Sequence, residues 1–223
     1  MNPEHKGLNR RKFLQSTAMT TIGAGAFGII PTSSFANSVA GDEINIIGPV
    51  DGYSPQIGIL VSMLNWIRDS VVRVTRNLSQ QDLDYLDDPD ANTIGAMLLH
   101  LAATDALYQD LTFYNLKDFS DANKNRWEAA MGLGEQGRTK IKGNNFDYYL
   151  SALTEVREKT LSEFKKRDDK WFAEVDPSFF GNKPTNNFCK WFHVCEHEAN
   201  HRGQITVIKK RLPGKQGATG NGG

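Results

Sequence analysis

The sequence predicts an all-α protein built as a four-helix bundle. Apolar residues recur at helical spacing in four long segments, 54–77, 92–115, 146–167 and 186–212. No segment shows a comparably convincing alternation of polar and apolar residues, so we expect no substantial sheet. The link at 115–145 is much longer than the acidic link at 78–89, and it predicts a long crossover connection between the helices.

Each predicted helix has its own signals. The second begins after Asn92, a good helix cap, and is strongly apolar, so His100 within it should lie on an inner face. The fourth ends at Pro213-Gly214, a pair that stops helices. The first and third carry apolar stripes, namely Ile57, Leu60, Val61, Leu64, Ile67 and Val71, then Phe146, Tyr149, Leu150, Leu153, Val156 and Phe164.

The first 36 residues have the features of an export signal. The run Arg10-Arg11-Lys12-Phe13-Leu14 precedes a Gly-, Ala- and Thr-rich apolar stretch and resembles a twin-arginine signal. Cleavage is expected after Ala36 or Ala40, and the sequence leaves open whether the signal is cleaved or kept as an anchor. We therefore expect an exported protein, periplasmic or extracellular. A linker would follow at 37–52, the bundle at 53–213 and a disordered tail at 214–223.

Composition excludes some partners. Without residues 1–36 the chain keeps 22 of its 26 basic and 25 of its 26 acidic residues, a net charge of −3, which argues against nucleic acid. We expect no stable membrane span in the mature chain, because the apolar run of the signal is short and rich in small residues. The sequence leaves open whether the chain forms a homodimer.

Histidines are concentrated near the C-terminus. His193, His197 and His201 follow one another at four-residue steps, which places them on one face of a helix about one turn apart. Two neighbours can then bind one metal ion. Spacing alone does not decide between the earlier and the later pair.

The same stretch contains an H-E-x-x-H string at 197–201, which supplies two zinc ligands and a general base in zinc peptidases. The peptidase interpretation is a remote alternative, because no Asp, Glu or His follows His201 to supply a third ligand. A third protein ligand must come from upstream, and His100, inside the apolar second helix, is the best candidate. A lone buried histidine is more often a core residue, but two histidines on another helix favour a metal.

These residues resemble the DinB-like superfamily of metal-binding four-helix bundles. The similarity runs from about Tyr53 to Pro213, and its most specific part is the ending H-x-x-x-H-R-G-Q at 197–204, with His100 in Leu98-Leu99-His100-Leu101 upstream. The resemblance implies that His100, His197 and His201 bind the metal, and that His193 lies next to these ligands or in the wall of the pocket without binding the metal. Characterised relatives include metal-dependent thiol S-transferases and a mycothiol-dependent isomerase, which work in the cytoplasm.

Three imidazoles leave a coordination position open, as in catalytic zinc sites. Zinc is therefore the first choice, and nickel or ferrous iron would accept the same ligands. We expect a metal-dependent enzyme, hydrolytic or group-transferring, that acts on an unknown small-molecule substrate. Glu198 and Gln204 are the nearest candidates for catalytic polar groups, although Glu198 has a second interpretation as a solvated residue and Gln204 as a partner of a buried group. A non-catalytic metal- or ligand-binding module is the alternative, favoured if Trp191, Phe192 or Tyr108 plugs the site.

The two cysteines are expected to be unpaired. Six residues of helix place the α-carbons of Cys189 and Cys195 about 9 Å apart, which is beyond the reach of a disulfide. Cys195 is two residues from both His193 and His197, so it points away from the histidine face, and we expect it to pack in the core.

Overall fold

Four long helices carry the architecture in this computed structural model, which describes residues 43–214. In chain order the elements are α1 (Pro55–Thr75), α2 (Gln80–Leu83), α3 (Ile94–Phe113), α4 (Asp121–Gly132), α5 (Gly134–Lys140), α6 (Phe146–Phe164), α7 (Asp169–Ala173), β1 (Val175–Asp176), β2 (Thr185–Asn186) and α8 (Asn187–Arg211). The predicted export signal and residues 215–223 of the predicted tail lie outside the described residues.

The all-α prediction is confirmed, and α1, α3, α6 and α8 are the four predicted helices. Each of their ends lies within three residues of its predicted position. The cap of α3 differs from the prediction, because Thr93 and not Asn92 caps it: the Thr93 hydroxyl accepts from the amide of Ala96 at 3.0 Å. Asn92 instead accepts from the amide of Gly134 at 2.9 Å and holds the start of α5.

The predicted crossover contains two helices that the sequence did not reveal. Helices α4 and α5 occupy most of the segment, and α4 packs against α3. Within α4 only Trp127 and Ala130 are buried, so its sequence is mostly polar and lacks a regular apolar stripe. A helix anchored by two residues gives little periodicity to detect.

Helix α3 lies at the centre of the bundle. It packs against α4, α6 and α8, and nearly all of its residues are buried, His100 among them. Helix α1 packs against α8 and α6. The residues described before α1 lie along it as well, since Asn45 accepts from the indole of Trp66 at 3.1 Å and Gly48 donates to Ser62 at 3.1 Å.

The core is divided into two apolar clusters, and each long helix contributes to both. One cluster includes Leu60, Leu64, Phe113, Phe164 and Trp191, and the other includes Val71, Leu98, Leu153, Val156 and Ile205. On each helix a charged residue lies close to the change from one cluster to the other: Arg68 on α1, Asp105 on α3, Arg157 on α6 and Glu198 on α8. A buried polar layer thus crosses the bundle.

A short β-hairpin precedes α8. Strands β1 and β2 pair antiparallel, with Val175 opposite Asn186 and Asp176 opposite Thr185. Within 43–214, no helix combines the length and the apolar character needed to cross a bilayer.

Candidate metal centre

Three histidine side chains meet between α3 and α8. The Nε2 atoms of His100 and His197 lie 3.2 Å apart, and those of His197 and His201 also lie 3.2 Å apart. Their ligand atoms all fall within 4.8 Å of one another, and within the described part of the chain no carboxylate or thiol joins this group.

The spacing fits a divalent ion. Two metal–nitrogen bonds of about 2.05 Å at the tetrahedral angle hold their nitrogens about 3.3 Å apart. The observed 3.2 Å between neighbouring Nε2 atoms matches that spacing. The three-histidine group can therefore bind a divalent metal ion, and a four-coordinate ion would keep one position for water or substrate.

The outer nitrogens of two ligands are held by hydrogen bonds. Nδ1 of His100 donates to the carbonyl oxygen of Ala130 at 3.0 Å, and Nδ1 of His201 donates to the side-chain oxygen of Gln204 at 3.1 Å. A proton fixed on Nδ1 leaves the lone pair of Nε2 free for the metal, which is how ligating histidines are usually oriented. Helix α4 thus contributes to the site through Ala130, although it supplies no ligand.

Burial keeps the three imidazoles neutral. Burial and the charge of His201 lower the pKa of His100 to about 4. Burial and the other histidines lower the pKa of His197 to about 3. Burial likewise lowers the pKa of His201. Neutral imidazoles are the form that binds metal, so the environment prepares these side chains for ligation.

His193 lies outside the ligand group, one turn before His197. Its ring centre is 5.7 Å from that of His197, and its Nδ1 donates to Glu196 at 2.8 Å. Its ring also contacts Phe180 and Tyr108, at 5.2 and 6.0 Å between ring centres. His193 therefore lies next to the three-histidine group without belonging to it.

Glu198 does not occupy either position that the sequence suggested. It is 1 % exposed, so the solvated interpretation is wrong. Its carboxylate accepts from Arg68 at 2.7 and 3.1 Å and also from Arg157. Burial alone would raise the pKa of Glu198, but the two guanidinium groups outweigh it and lower that pKa. Both carboxylate oxygens of Glu198 are therefore engaged by arginines in the core, and its catalytic role stays a prediction.

Two further bonds complete this buried layer. Asp105 accepts from Arg157 at 2.9 Å and lies 3.4 Å from Arg68. Each arginine also donates to a helix carbonyl, Arg68 to Leu153 at 2.7 Å and Arg157 to Leu64 at 2.8 Å. One connected network therefore joins α1, α3, α6 and α8 beside the metal ligands.

Sequence reasoning missed Arg68, Arg157 and Asp105. A signal was present, because each is a charged residue at an apolar position of its helix. Arg68 falls between Leu64 and Val71, one turn from each. Charged residues in such positions are buried only when they are paired.

The three rings considered as plugs do not cover the ligands. Trp191 is fully buried and donates to Thr112 at 3.1 Å, and Phe192 is 47 % exposed. Tyr108 contacts His193, and no ring contact found among the described residues joins it to His100, His197 or His201. Among the described residues, none of these three rings therefore stacks on a ring of the three-histidine group.

The fold and the three-histidine group define a DinB-like helical protein whose histidines can bind a divalent metal ion. The chain belongs to the mycothiol-S-transferase family, whose family model matches residues 59–214. That range contains all three histidines and the four long helices except the first residues of α1.

A solved structure supports the fold. The chain is similar to a protein described as "the conserved protein of locus from Enterococcus faecalis", with a TM-score of 0.56 and 11 % identity. The similarity covers 70 % of this chain and 96 % of the other. At this identity it supports the fold alone. No curated protein matches the chain.

Proposed function

We propose that this protein is a metal-dependent S-transferase that joins a low-molecular-weight thiol to an electrophilic small molecule. The observation that supports the proposal is the convergence of three neutral imidazoles, two of them oriented through Nδ1, in a chain of the mycothiol-S-transferase family. In this reaction the thiol sulfur bonds to an electrophilic carbon, the leaving group departs with its electron pair, and the thiol proton passes to water.

The chain's own residues have separate tasks in this proposal. His100, His197 and His201 hold the ion, while Ala130 and Gln204 orient two of them through Nδ1. Gln204 is therefore a positioning residue and not a catalytic one. When bound, the metal supplies a positive charge that favours the thiolate form of the thiol.

Zinc is the metal that we propose. Three neutral nitrogen donors with one position left open are typical of catalytic zinc sites. Nickel and ferrous iron accept imidazoles too, so the ion content of the purified protein is the deciding measurement.

Hydrolysis is the second candidate, and the Arg10-Arg11 segment favours it. We propose that this segment directs export through the twin-arginine pathway, which carries proteins that have already folded and so allows the metal to be loaded inside the cell. Outside the cytoplasm small thiols are scarce, and water bound at the open position would then be the nucleophile. The combined substitution Arg10→Lys and Arg11→Lys should keep the protein in the cytoplasm. Unchanged export of this variant would contradict the assignment.

The remaining alternatives have less support. The peptidase alternative requires Glu198 as a base, and Glu198 is bound to two arginines. The non-catalytic module was favoured by a plugged site, and no ring contact among the described residues places Trp191, Phe192 or Tyr108 against the three histidines.

The test is conjugation of thiols to monobromobimane by zinc-loaded protein. Mycothiol, glutathione and cysteine are each supplied, and ester hydrolysis of 4-nitrophenyl acetate is measured in parallel. We expect thiol conjugation to depend on metal and to be lost in His201→Ala, but to survive Phe188→Ala at the far end of α8. Metal-dependent ester hydrolysis without conjugation would replace the transferase by a hydrolase. If neither conjugation nor hydrolysis is detected, the protein is a non-catalytic binding module.

A further inference from the structure

A row of aromatic rings leads away from the metal ligands. We call Tyr108, Phe179, Phe180 and His193 the aromatic wall. From His197 the row continues to His193 at 5.7 Å between ring centres, and from there to Phe180 at 5.2 Å and to Tyr108 at 6.0 Å. Phe179 closes it, at 4.8 Å from Phe180 and 6.2 Å from Tyr108. His193, at one end of the wall, therefore lies next to His197 of the three-histidine group.

The β-hairpin places two of these rings. Its connecting segment, 177–184, carries Phe179 and Phe180 toward α8, and the chain turns back through two successive residues of positive φ, Gly181 and Asn182, both at 58°. Glycine and asparagine tolerate this conformation best. The hairpin thus brings aromatic side chains to a site whose metal ligands all come from helices.

Two charged residues next to the wall, Lys190 and Glu196, already have partners. Lys190 binds Asp176 at 3.1 Å and covers the ring of Phe179, with Nζ 4.2 Å from the ring centre. Glu196 accepts from His193 at 2.8 Å. Phe180 and His193 remain half-buried, so part of each ring faces solvent. The exposed parts of these two rings are therefore available to contact a ligand.

We propose that the aromatic wall binds a planar aromatic or conjugated group of the electrophilic substrate and holds it beside the metal. Two observations support this occupant: the rings form edge-to-face and tilted pairs that a further ring can extend, and His193, at one end of the wall, lies next to His197. A small water-soluble thiol carries mainly polar groups, whereas the wall offers the half-buried rings of Phe180 and His193. The assignment rests on the proposed S-transfer for the role of the ligand, but binding can be measured without turnover.

The test uses 4-nitrobenzyl alcohol, which is flat, unreactive and carries no strong metal ligand. Its dissociation constant is measured by NMR titration, following the imidazole protons, on metal-free and zinc-loaded full-length protein. Cyclohexylmethanol, apolar but not flat, is the comparison ligand. We expect 4-nitrobenzyl alcohol to bind in both forms, to shift the His193 signals and to bind about fivefold more tightly than cyclohexylmethanol.

Two variants and a control make the result specific. Phe180→Ala should weaken binding of the aromatic probe about fivefold, and Phe180→Leu should weaken it with little effect on cyclohexylmethanol. Phe188→Ala removes an equally large, partly exposed ring of α8 that stacks on Phe172, and it should change neither constant. Retained zinc stoichiometry in each variant shows that the site is intact.

The proposal is overturned if Phe180→Leu binds the aromatic probe as tightly as the unchanged protein, or if the His193 signals do not shift. If only the S-transferase proposal is wrong, conjugation is absent but the Phe180 substitutions still weaken binding of the aromatic probe. In that case the wall remains the binding site for the substrate of another reaction.

Discussion

The Nε2 atoms of His100 and His197 lie 3.2 Å apart, although the two residues are 97 positions apart in the sequence. Helices α3 and α8 bring them together, and the carbonyl of Ala130 in α4 fixes the ring of His100. Buried neutral imidazoles in contact require an ion or a proton between them to be fully satisfied. This contact is the basis of the functional account.

The buried network predicts a large difference between two arginine substitutions. Arg157→Met removes one partner of the buried Glu198 and Asp105 and should cost about 3–5 kcal/mol of unfolding free energy. Arg126→Met breaks an exposed pair with Glu155 and should cost less than about 1 kcal/mol. Urea unfolding followed by circular dichroism measures both. Equal costs would mean that the network does not stabilise the bundle.

The close approach of α3 and α6 predicts a cost for a single methyl group. A Cβ at Gly95 would lie 2.5 Å from the hydroxyl oxygen of Tyr149, so Gly95→Ala should destabilise by about 1–3 kcal/mol. Gly132→Ala, with open space around it, should be neutral. Tyr149→Phe would leave the ring carbon Cζ 2.7 Å from the new Cβ, so it should recover only a small part of the loss in Gly95→Ala. Thermal unfolding of the unchanged protein and these variants checks this, and a neutral Gly95→Ala would contradict the packing argument.

Acid should destabilise the metal-free protein. The pKa of His100 is about 4 and that of His197 about 3 in the folded state, against 6.5 as the ordinary value. Below pH 6.5 these histidines therefore bind protons in the unfolded chain but not in the folded chain. The unfolding free energy decreases as the pH is lowered, by up to about 1.4 kcal/mol per pH unit for each histidine. The loss begins near pH 6.5 and ends below the folded pKa values.

The comparison variant for this pH dependence is His100→Gln, which removes one of the titrating groups. Unfolding free energies measured between pH 7 and 5 should show a shallower slope in the variant than in the unchanged protein. Parallel slopes would show that His100 is not buried neutral in the folded state.

The two cysteines should differ in reactivity. Both are free; Cys189 is exposed and Cys195 half-buried. Burial and the nearby Glu198 raise the pKa of Cys195 to about 11, so its reactive thiolate is rare at neutral pH. Ellman's reagent should modify one thiol quickly in native protein and two after denaturation without reductant. A denatured count of zero would show a disulfide or cross-linked chains.

Much of this structure could be predicted from apolar spacing. The long helices were recognisable from apolar residues or, for α8, from its end at Pro213, and their observed bounds lie close to the predicted ones. Helix α4 could not be found this way, because it is anchored by Trp127 and Ala130 alone. Short-range patterns detect helices that bury a whole face and miss those that bury a few side chains.

The site was predictable in part for the same reason. Four-residue spacing placed His193, His197 and His201 on one face, but it did not distinguish the two pairs. The two pairs differ in their contacts in the folded protein. His201 contacts Gln204 and the ring of His100, whereas His193 contacts Glu196 and Phe180. The burial of Glu198 depends on arginines from α1 and α6, which no local pattern around residue 198 contains.

Metal content of ligand variants tests the central claim most directly. Full-length protein purified without an affinity tag should contain about one divalent ion per chain. His100→Ala, His197→Ala and His201→Ala should each reduce this to near zero and lower the melting temperature, because bound metal stabilises the folded state. His193→Ala should keep the ion. Loss of the ion in His193→Ala together with its retention in His201→Ala would contradict the account, because the metal would then lie one helical turn away from the three-histidine group.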